Sequence, residues 1–189
     1  MRDRIVAVVV AAALCVACGP REDASAPVPN AAPVPNPPAA APPATPGRAL
    51  PSTAFRVQWQ PPPVPSEVRA NSTITLPVTF TNAGNVPWPD NATADPKNDG
   101  SYAVRVVHWW TPASGPVEPR KDGQRTNLPR PIAPQETITM PLAVQTPAVP
   151  GEYRLVIELV QELVHWFADM GAVVLTLPIQ VKAPSTQPR

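Results

Sequence analysis

Proline is the residue that most constrains how this chain can fold. The 189 residues include 31 prolines, and residues 19–52 consist almost entirely of Pro, Ala, Val, Asn and Ser. Because proline fixes φ and lacks a backbone N–H donor, such a segment can build neither a helix nor a sheet ladder. The near-repeat APVPN at residues 26–30 and 32–36 is typical of a linker. We therefore predict a disordered spacer, partly polyproline II, which would span about 100 Å when fully extended at roughly 3.1 Å per residue.

The chain before this spacer has the layout of a secretory signal peptide over residues 1–17. A short basic start, with Arg2 and Arg4, leads into an apolar stretch over residues 5–17. That stretch is too short to span a bilayer as a stable helix. Cys18 follows it directly, and the composition changes sharply after this cysteine.

The junction at Cys18 resembles a bacterial lipobox, a motif in which the cysteine becomes the acylated first residue of the mature protein. Cys15 stands three positions before Cys18, where leucine is usual in that family. The resemblance implies an extracytoplasmic protein held on a bacterial membrane by a lipid on Cys18. Acylation contributes roughly 0.8 kcal/mol of membrane affinity per buried methylene. Cleavage by the ordinary signal peptidase would instead give a secreted protein.

Charge and cysteine content exclude several classes of function. Removing Arg2, Arg4 and Asp3 from the 15 basic and 14 acidic residues leaves 13 of each, and no basic run exceeds residues 120–121. Nucleic-acid binding and polybasic membrane attachment both need clusters of cations, so we expect neither. Besides Cys18 the mature chain has no cysteine, which excludes a disulfide framework and a thiolate zinc cluster.

Residues 53–183 have the composition of one folded domain, with a short disordered tail over residues 184–189. Runs with period-two alternation and many β-branched residues predict half-buried strands. These runs cover residues 55–59, 72–80, 102–110, 137–144, 153–160 and 173–181. Six or seven such strands separated by turn signals predict an all-β fold, an antiparallel β-sandwich. Pro77 and Pro141 interrupt two ladders, so we expect them on sheet edges or at bulges.

The segment 158–167 fits two periodicities. Leu159, Leu163 and Phe167 share a stripe at helical spacing, whereas the Pro-Gly entry at residues 150–151 favours a strand. We predict a strand through about Gln161, followed by a loop or a single turn.

Short motifs in this domain are similar to those of immunoglobulin-like (Ig-like) sandwich modules. Residues 82–89, NAGNVPWP, resemble the N-x-G-x-x-x-W-P signature of the four-tryptophan type. Residues 108–109, 122–129 and 150–153 resemble a bacterial Ig-like module found in envelope proteins. The resemblance implies an Ig-like β-sandwich of about seven strands, and such modules generally bind partners or space other domains. It does not fix the function, since sandwich domains host unrelated activities.

The same motifs have structural roles that follow from the residues themselves. Trp88 would plug one end of the sandwich between two prolines. Tyr153, just after Pro-Gly, could tie a corner through its hydroxyl while its ring enters the core. Arg125, near a glycine, would fix the preceding loop through hydrogen bonds to carbonyls.

The sequence contains no catalytic or metal-binding constellation. The two histidines are His108, within an alternating strand, and His165, at a loop or strand end, and no G-x-S-x-G motif accompanies them. Residues 89–101 hold five Asp and Asn side chains but lack the spacing and closing glutamate of an EF-hand loop. Glu158 and Glu162 would project from one strand face among solvent-facing residues, with no cleft implied. We therefore predict no enzyme activity, no metal and no cofactor.

Tryptophans supply the remaining functional signal. Trp109 and Trp110 are neighbours on a strand and point to opposite faces, so one of them must be exposed or covered by a loop. An exposed one could join other aromatics in a patch suited to sugar rings or to apolar side chains of a partner. The candidate surface consists of Trp110, Trp166, Phe167 and Arg125.

These observations predict a lipid-anchored envelope protein that presents a non-catalytic binding or assembly module to a protein partner, through an edge strand or the aromatic end. One alternative is a carbohydrate-binding module for cell-wall or capsular glycan. The other is an inert structural spacer.

Overall fold

The computed structural model describes residues 46–94, 97, 99–117 and 123–184. The predictions for the signal peptide, for Cys18, for the tether up to residue 45 and for the end of the tail therefore lie outside the described residues. Within the described ranges, none of the helices is long and apolar enough to cross a membrane.

Strands dominate the described part of the chain. A four-residue helix, α1 (Asn91–Ala94), and two 3₁₀ turns (Ser52–Ala54 and Ala168–Met170) accompany them. The strands are β1 (Val57–Gln60), β2 (Glu67–Arg69), β3 (Thr73–Asn82), β4 (Val104–Pro112), β5 (Gln124–Asn127), β6 (Thr137–Gln145), β7 (Gly151–Gln161), β8 (His165–Trp166) and β9 (Leu175–Lys182).

The strands form two sheets that pack as an Ig-like β-sandwich, which confirms the predicted all-β fold. The three-stranded sheet has the order β1-β3-β6, and the six-stranded sheet has the order β2-β9-β7-β4-β5 with β8 pairing beside β7. Neighbouring strands are antiparallel except for β2 and β9, which run parallel. Seven of the strands have four residues or more.

Alternation along the strands builds the core between the sheets. In β6 every second residue is buried, and the four inward side chains are Ile138, Met140, Leu142 and Val144. Trp88 closes one end of the core as predicted. It is completely buried, and its indole Nε1 donates to the carbonyl of Ala54 at 2.9 Å. This hydrogen bond matters because a buried indole N–H without an acceptor would be destabilising.

The two ladder prolines lie where the absence of a donor does least damage. Pro77 stands directly opposite Pro141, and β6 is an edge strand of its sheet. β1 pairs only with residues 79–82 of β3, so Pro77 has no partner on that side among the described strands. Both positions agree with the expectation that prolines occupy edges.

Tyr153 forms the predicted corner. Its hydroxyl donates to the carbonyl of Val149 at 3.0 Å, while its ring meets the ring of Trp110 edge to face at 6.1 Å. A Cβ at Gly151 would lie 3.2 Å from the Tyr153 ring, so glycine gives this ring room to pack. The corner thus ties the start of β7 to the loop that precedes it.

The segment 158–167 is a strand followed by a turn, as predicted. β7 ends at Gln161, and the chain reverses through a tight turn into β8. Leu159 and Phe167 lie in the core, but Leu163 stands 83% exposed at the tip with a φ of 61°. The helical stripe was therefore coincidental.

The last residues of the proline-rich segment contact the sandwich. The buried side chain of Gln161 accepts from Leu50 N at 2.9 Å and donates to the carbonyls of Arg48 and Tyr102, both at 3.0 Å. Gly47 N also donates to the carbonyl of Ala94 at 2.7 Å. Residues 47–50 were predicted to belong to the spacer because composition carries no information about distant hydrogen-bond partners. Gln161, the partner of Leu50, lies 111 residues further along the chain.

Candidate functional site

The structure does not bring the three predicted aromatic residues to one surface. Phe167 is completely buried in the main core, with its ring 5.0 Å from Phe55 and 5.1 Å from Trp88. Trp110 points inward, and its indole Nε1 donates to the carbonyl of Gln145 in the opposite sheet at 2.8 Å. Trp166 packs on the other face of the six-stranded sheet.

The prediction of a shared aromatic patch was therefore wrong, and the local backbone explains why. Trp166 ends β8, whereas Phe167 has a helical conformation (φ −63°, ψ −37°) at the start of the 3₁₀ turn, and its side chain lies in the core. Trp109 and Trp110 are neighbours within β4, so their side chains point to opposite faces. Here Trp109 is the outward one, and it is covered, with only 8% of its surface exposed.

The structure does bring Arg125 and Trp166 together. The guanidinium carbon of Arg125 lies 5.8 Å from the centre of the Trp166 ring, within the range of a cation–π contact. Arg125 Nε donates to Glu162 Oε1 at 2.8 Å, and one terminal nitrogen donates to the carbonyl of Gly123 at 3.2 Å. The last bond is to a backbone carbonyl, as predicted for Arg125, but residues 118–122 of the preceding loop lie outside the described residues.

A second apolar cluster lies beneath these side chains, on the outer face of the six-stranded sheet. This outer cluster consists of four buried residues, Val107, Trp109, Val156 and Val160, against which Trp166 and Val174 pack. β8 and the segment leading to β9 thus cover an apolar patch that would otherwise face water. Trp166 remains partly exposed at its margin.

Arg105 lies on the same face and is a second arginine in contact with Glu162. Its guanidinium lies 3.6 Å from Glu162 Oε1 and donates to Asn91 Oδ1 at 2.8 Å. Gly100 has a φ of +84°, a left-handed conformation that favours glycine, and this guanidinium lies where a Cβ at Gly100 would stand. Glu162 is thereby held between two arginines, with 15% of its side chain exposed.

Four residues define what we call the Arg125–Trp166 surface: Arg105, Arg125, Glu162 and Trp166. Two guanidinium groups and one carboxylate give it a formal charge of +1. Among them, Arg125 is the most accessible charged side chain, at 40% exposure. The surface can therefore offer a partner an oriented guanidinium and part of an indole ring.

Glu158 does not face solvent as the sequence suggested. It is 2% exposed, in the same strand as Val156 and Val160, and its Oε1 accepts from Ala168 N at 2.9 Å. That bond holds the 3₁₀ turn after β8 against the sheet. Glu158 in β7 is thus a buried structural acceptor, whereas Glu162, in the turn that follows β7, is an ion-pair partner.

His108 is a buried wall residue. It is 3% exposed, and burial lowers the pKa of its imidazole, an effect that a hydrogen bond with Gln124 partly opposes. The neutral form is therefore favoured in the folded protein. No group of three or more His, Cys, Asp or Glu residues that could hold a metal occurs in the described ranges.

The acidic loop after Trp88 is used for local structure where it is described. Asp90 Oδ1 accepts from Thr93 N at 2.9 Å, which caps α1. Ser101 N donates to Asp99 Oδ1 at 2.9 Å. Asp95 and Asn98 lie outside the described residues.

The long edge strand β6 is poorly suited to adding a partner's strand. Pro141 at its centre has no N–H to donate, and the carbonyl of Gln145 near its end already accepts from Trp110. Natural proteins block sheet edges with prolines in this way. The Arg125–Trp166 surface is consequently the better candidate for contact with a partner.

No family model and no curated protein matches the chain. Among solved structures, the chain is similar to the CARDB domain of a Pyrococcus furiosus protein, at 18% identity and a TM-score of 0.38, covering 67% of this chain and 92% of that one. It is also similar to an alpha-2-macroglobulin of E. coli, at 16% identity and a TM-score of 0.37, covering 67% of this chain and 7% of that one. A beta-glucosidase from Listeria innocua matches at 12% identity and a TM-score of 0.38, over 67% of this chain and 16% of that one.

Proposed function

We propose that this chain is a lipid-anchored cell-envelope protein whose Ig-like sandwich is a non-catalytic binding module for a protein partner. The partner would contact the Arg125–Trp166 surface. The observation that carries this proposal is the guanidinium of Arg125 held 5.8 Å from a partly exposed Trp166 ring. Tryptophan and arginine are the side chains most enriched among residues that dominate binding energy at protein interfaces.

Preorganisation supports the same proposal. Arg125 is fixed by Glu162 and by the carbonyl of Gly123, so little of its rotamer freedom remains to be lost on binding. Trp166 rests on the outer cluster and is likewise restricted. A partner with a carboxylate beside an apolar or aromatic side chain would complement this pair.

The sequence supports the envelope part of the proposal. A signal peptide, a cysteine in a lipobox-like context and a proline-rich segment together suit a domain displayed at a distance from a membrane. Replacing Cys18 with alanine should release the protein from membranes and abolish labelling with fatty acid. Absence of label in the wild type would instead support a secreted protein.

Capture from solubilised envelopes tests the binding surface. The full chain, carrying an affinity tag, should retain a stoichiometric protein companion, and Trp166→Ala should lose it. Val149→Ala is the matched control, because Val149 is an exposed apolar residue, 66% accessible, in the loop before β7. Arg125→Lys keeps the charge but not the planar fork, and we expect about tenfold weaker capture.

Two outcomes would contradict the proposal. Retention of the companion by both Trp166→Ala and Arg125→Lys would exclude this surface. A wild-type chain that captures no companion at all would exclude a stable protein partner. Thermal melting of each variant identifies any loss that results from unfolding.

A further inference from the structure

The outer face of the three-stranded sheet is lined by hydroxyl groups and carries no charge. Six threonines of β3 and β6 point outward there, and we call them the hydroxyl face: Thr73, Thr75, Thr79, Thr81, Thr137 and Thr139. Gln58 and Gln60 of β1 extend it on one side. Pro77, Pro141, Ala143 and Gln145 complete the outward positions of β3 and β6, so no acid or base lies among the outward residues of the three strands. The exposed Arg56 directly precedes β1.

Cross-strand hydrogen bonds arrange these hydroxyls in rows. Thr79 and Thr139 are joined by a hydrogen bond of 2.8 Å between their hydroxyls, and Thr81 and Thr137 by one of 2.6 Å. In each such pair, one hydroxyl proton forms the hydrogen bond between the two threonines. The other hydroxyl proton and the remaining lone pairs are available to a ligand. The rows repeat at about 4.8 Å between strands and roughly 6.8 Å along a strand.

The lack of charge indicates what class of ligand the hydroxyl face can accept. An anionic polymer would meet no cation among the outward residues of these three strands, in contrast to the opposite outer face with Arg105 and Arg125. Neutral hydroxyl and amide groups instead match the alternating donors and acceptors of sugar hydroxyls. The face is also free of the large aromatic or apolar side chains that dominate protein interfaces.

Its size indicates an extended ligand. β3 and β6, with ten and nine residues, and the four residues of β1 cover about 360 Å², whereas a standard protein interface buries about 800 Å² on each partner. A second copy of the chain would therefore gain too little from this face alone. A single polymer strand lying along β3 and β6 needs no more than this area.

We propose that the hydroxyl face binds an extended, neutral polysaccharide. This site is separate from the Arg125–Trp166 surface and uses the other sheet. Its residues differ from the aromatic residues that the sequence suggested for glycan binding. Recognition would rest on hydrogen bonds from paired threonine hydroxyls, with the threonine methyl groups contacting the apolar C–H surface of the sugar rings.

Affinity electrophoresis of the full chain tests this proposal. Native gels would contain hydroxyethyl cellulose, glucomannan or dextran as neutral polymers, and alginate as the anionic one. We expect retardation by at least one neutral polymer and none by alginate. In the double variant Thr79→Val and Thr139→Val, the dissociation constant for that polymer should rise about tenfold, because two hydroxyls are lost while the β-branched shape is kept.

The matched control is Thr176→Val. Thr176 is an exposed threonine on β9, in the six-stranded sheet, and its replacement should leave retardation unchanged. Retardation by no neutral polymer, retardation by alginate of equal strength, or an unaltered constant in the double variant would each overturn the proposal. Because the double variant leaves Trp166 intact, capture of a protein companion should persist in it, which separates failure of this site from failure of the partner surface.

Discussion

The two outer faces of this sandwich differ in which side chains they expose to water. The three-stranded sheet presents mainly threonines and glutamines to solvent, with its large apolar side chains on the inner side. The six-stranded sheet has a second apolar cluster on its outer side, covered by β8 and ringed by ionic side chains. Strand alternation alone therefore does not decide whether an outward face is a solvated surface or a second, smaller core.

The largest expected effect is the difference in stability between two variants, each of which places one charge on one outer face. Val160→Asp puts a carboxylate into the outer cluster, where Val160 is 4% exposed and Glu158 is already buried on the same strand face. We expect a loss of about 3 kcal/mol or more in the free energy of unfolding. Thr139→Asp, exposed on the hydroxyl face, should cost at most about 0.5 kcal/mol. Urea denaturation measures both, and equal losses would contradict the difference between the faces.

A smaller effect is expected from the ionic rim of the outer cluster. Glu162→Gln leaves Arg105 and Arg125 without the carboxylate between them, and we expect a loss of about 1 kcal/mol that shrinks at high salt. The control is Glu67→Gln, whose partner Lys182 lies 3.3 Å away in an ion pair with both side chains about half exposed. That variant should stay within about 0.5 kcal/mol of the wild type. The loss of stability is measured for both variants at low and high salt. A similar loss in both would mean that the ion pairs of Glu162 with Arg105 and Arg125 contribute no more than an exposed surface ion pair.

The smallest expected effect is a pH dependence of stability that arises from His108, in the six-stranded sheet. Burial lowers the pKa of His108 below its usual 6.5, so the unfolded chain takes up a proton at a higher pH than the folded protein does. Stability is therefore present above about pH 6.5 and falls as the pH drops below that value. Melting temperatures at pH 7 and pH 5 should show a smaller difference in His108→Gln than in the wild type. Thr176→Val, which replaces an exposed residue of β9 and removes no titratable group, serves as the control and should keep the wild-type difference.

Local pattern was enough to predict most of the strands. Period-two alternation located β3, β4, β6, β7 and β9 to within a few residues, because a strand packed on one face needs an apolar side chain at every second position. It also identified the corner at Tyr153 and the plug at Trp88, since both roles follow from a few neighbouring residues. The short strands β2, β5 and β8 were not predicted, because two to four residues carry too little periodicity.

The candidate site was predicted only in part. Arg125 and Trp166 were predicted to belong to one candidate surface with Trp110 and Phe167, but no sequence signal joined either of them to Glu162. Arg125 and Glu162 are 37 residues apart, and their contact depends on the register of β5, β4 and β7. The prediction that Glu158 faces solvent was wrong for a related reason, because the outward face of the strand was assumed to be exposed to solvent.

The sequence by itself determined that this chain contains a β-sandwich, where its longer strands run and which side chains of each strand share a face. Those properties depend on the backbone's period of two and on residues close in the chain. Only the tertiary structure decided that Trp110 points inward and Trp109 outward, that a second apolar cluster needs β8 as its cover, and that Arg125 meets Trp166. The physical reason is that alternation fixes the relative orientation of neighbours, whereas the choice of inner face and the contacts between distant strands are set by sheet pairing and burial across the whole domain.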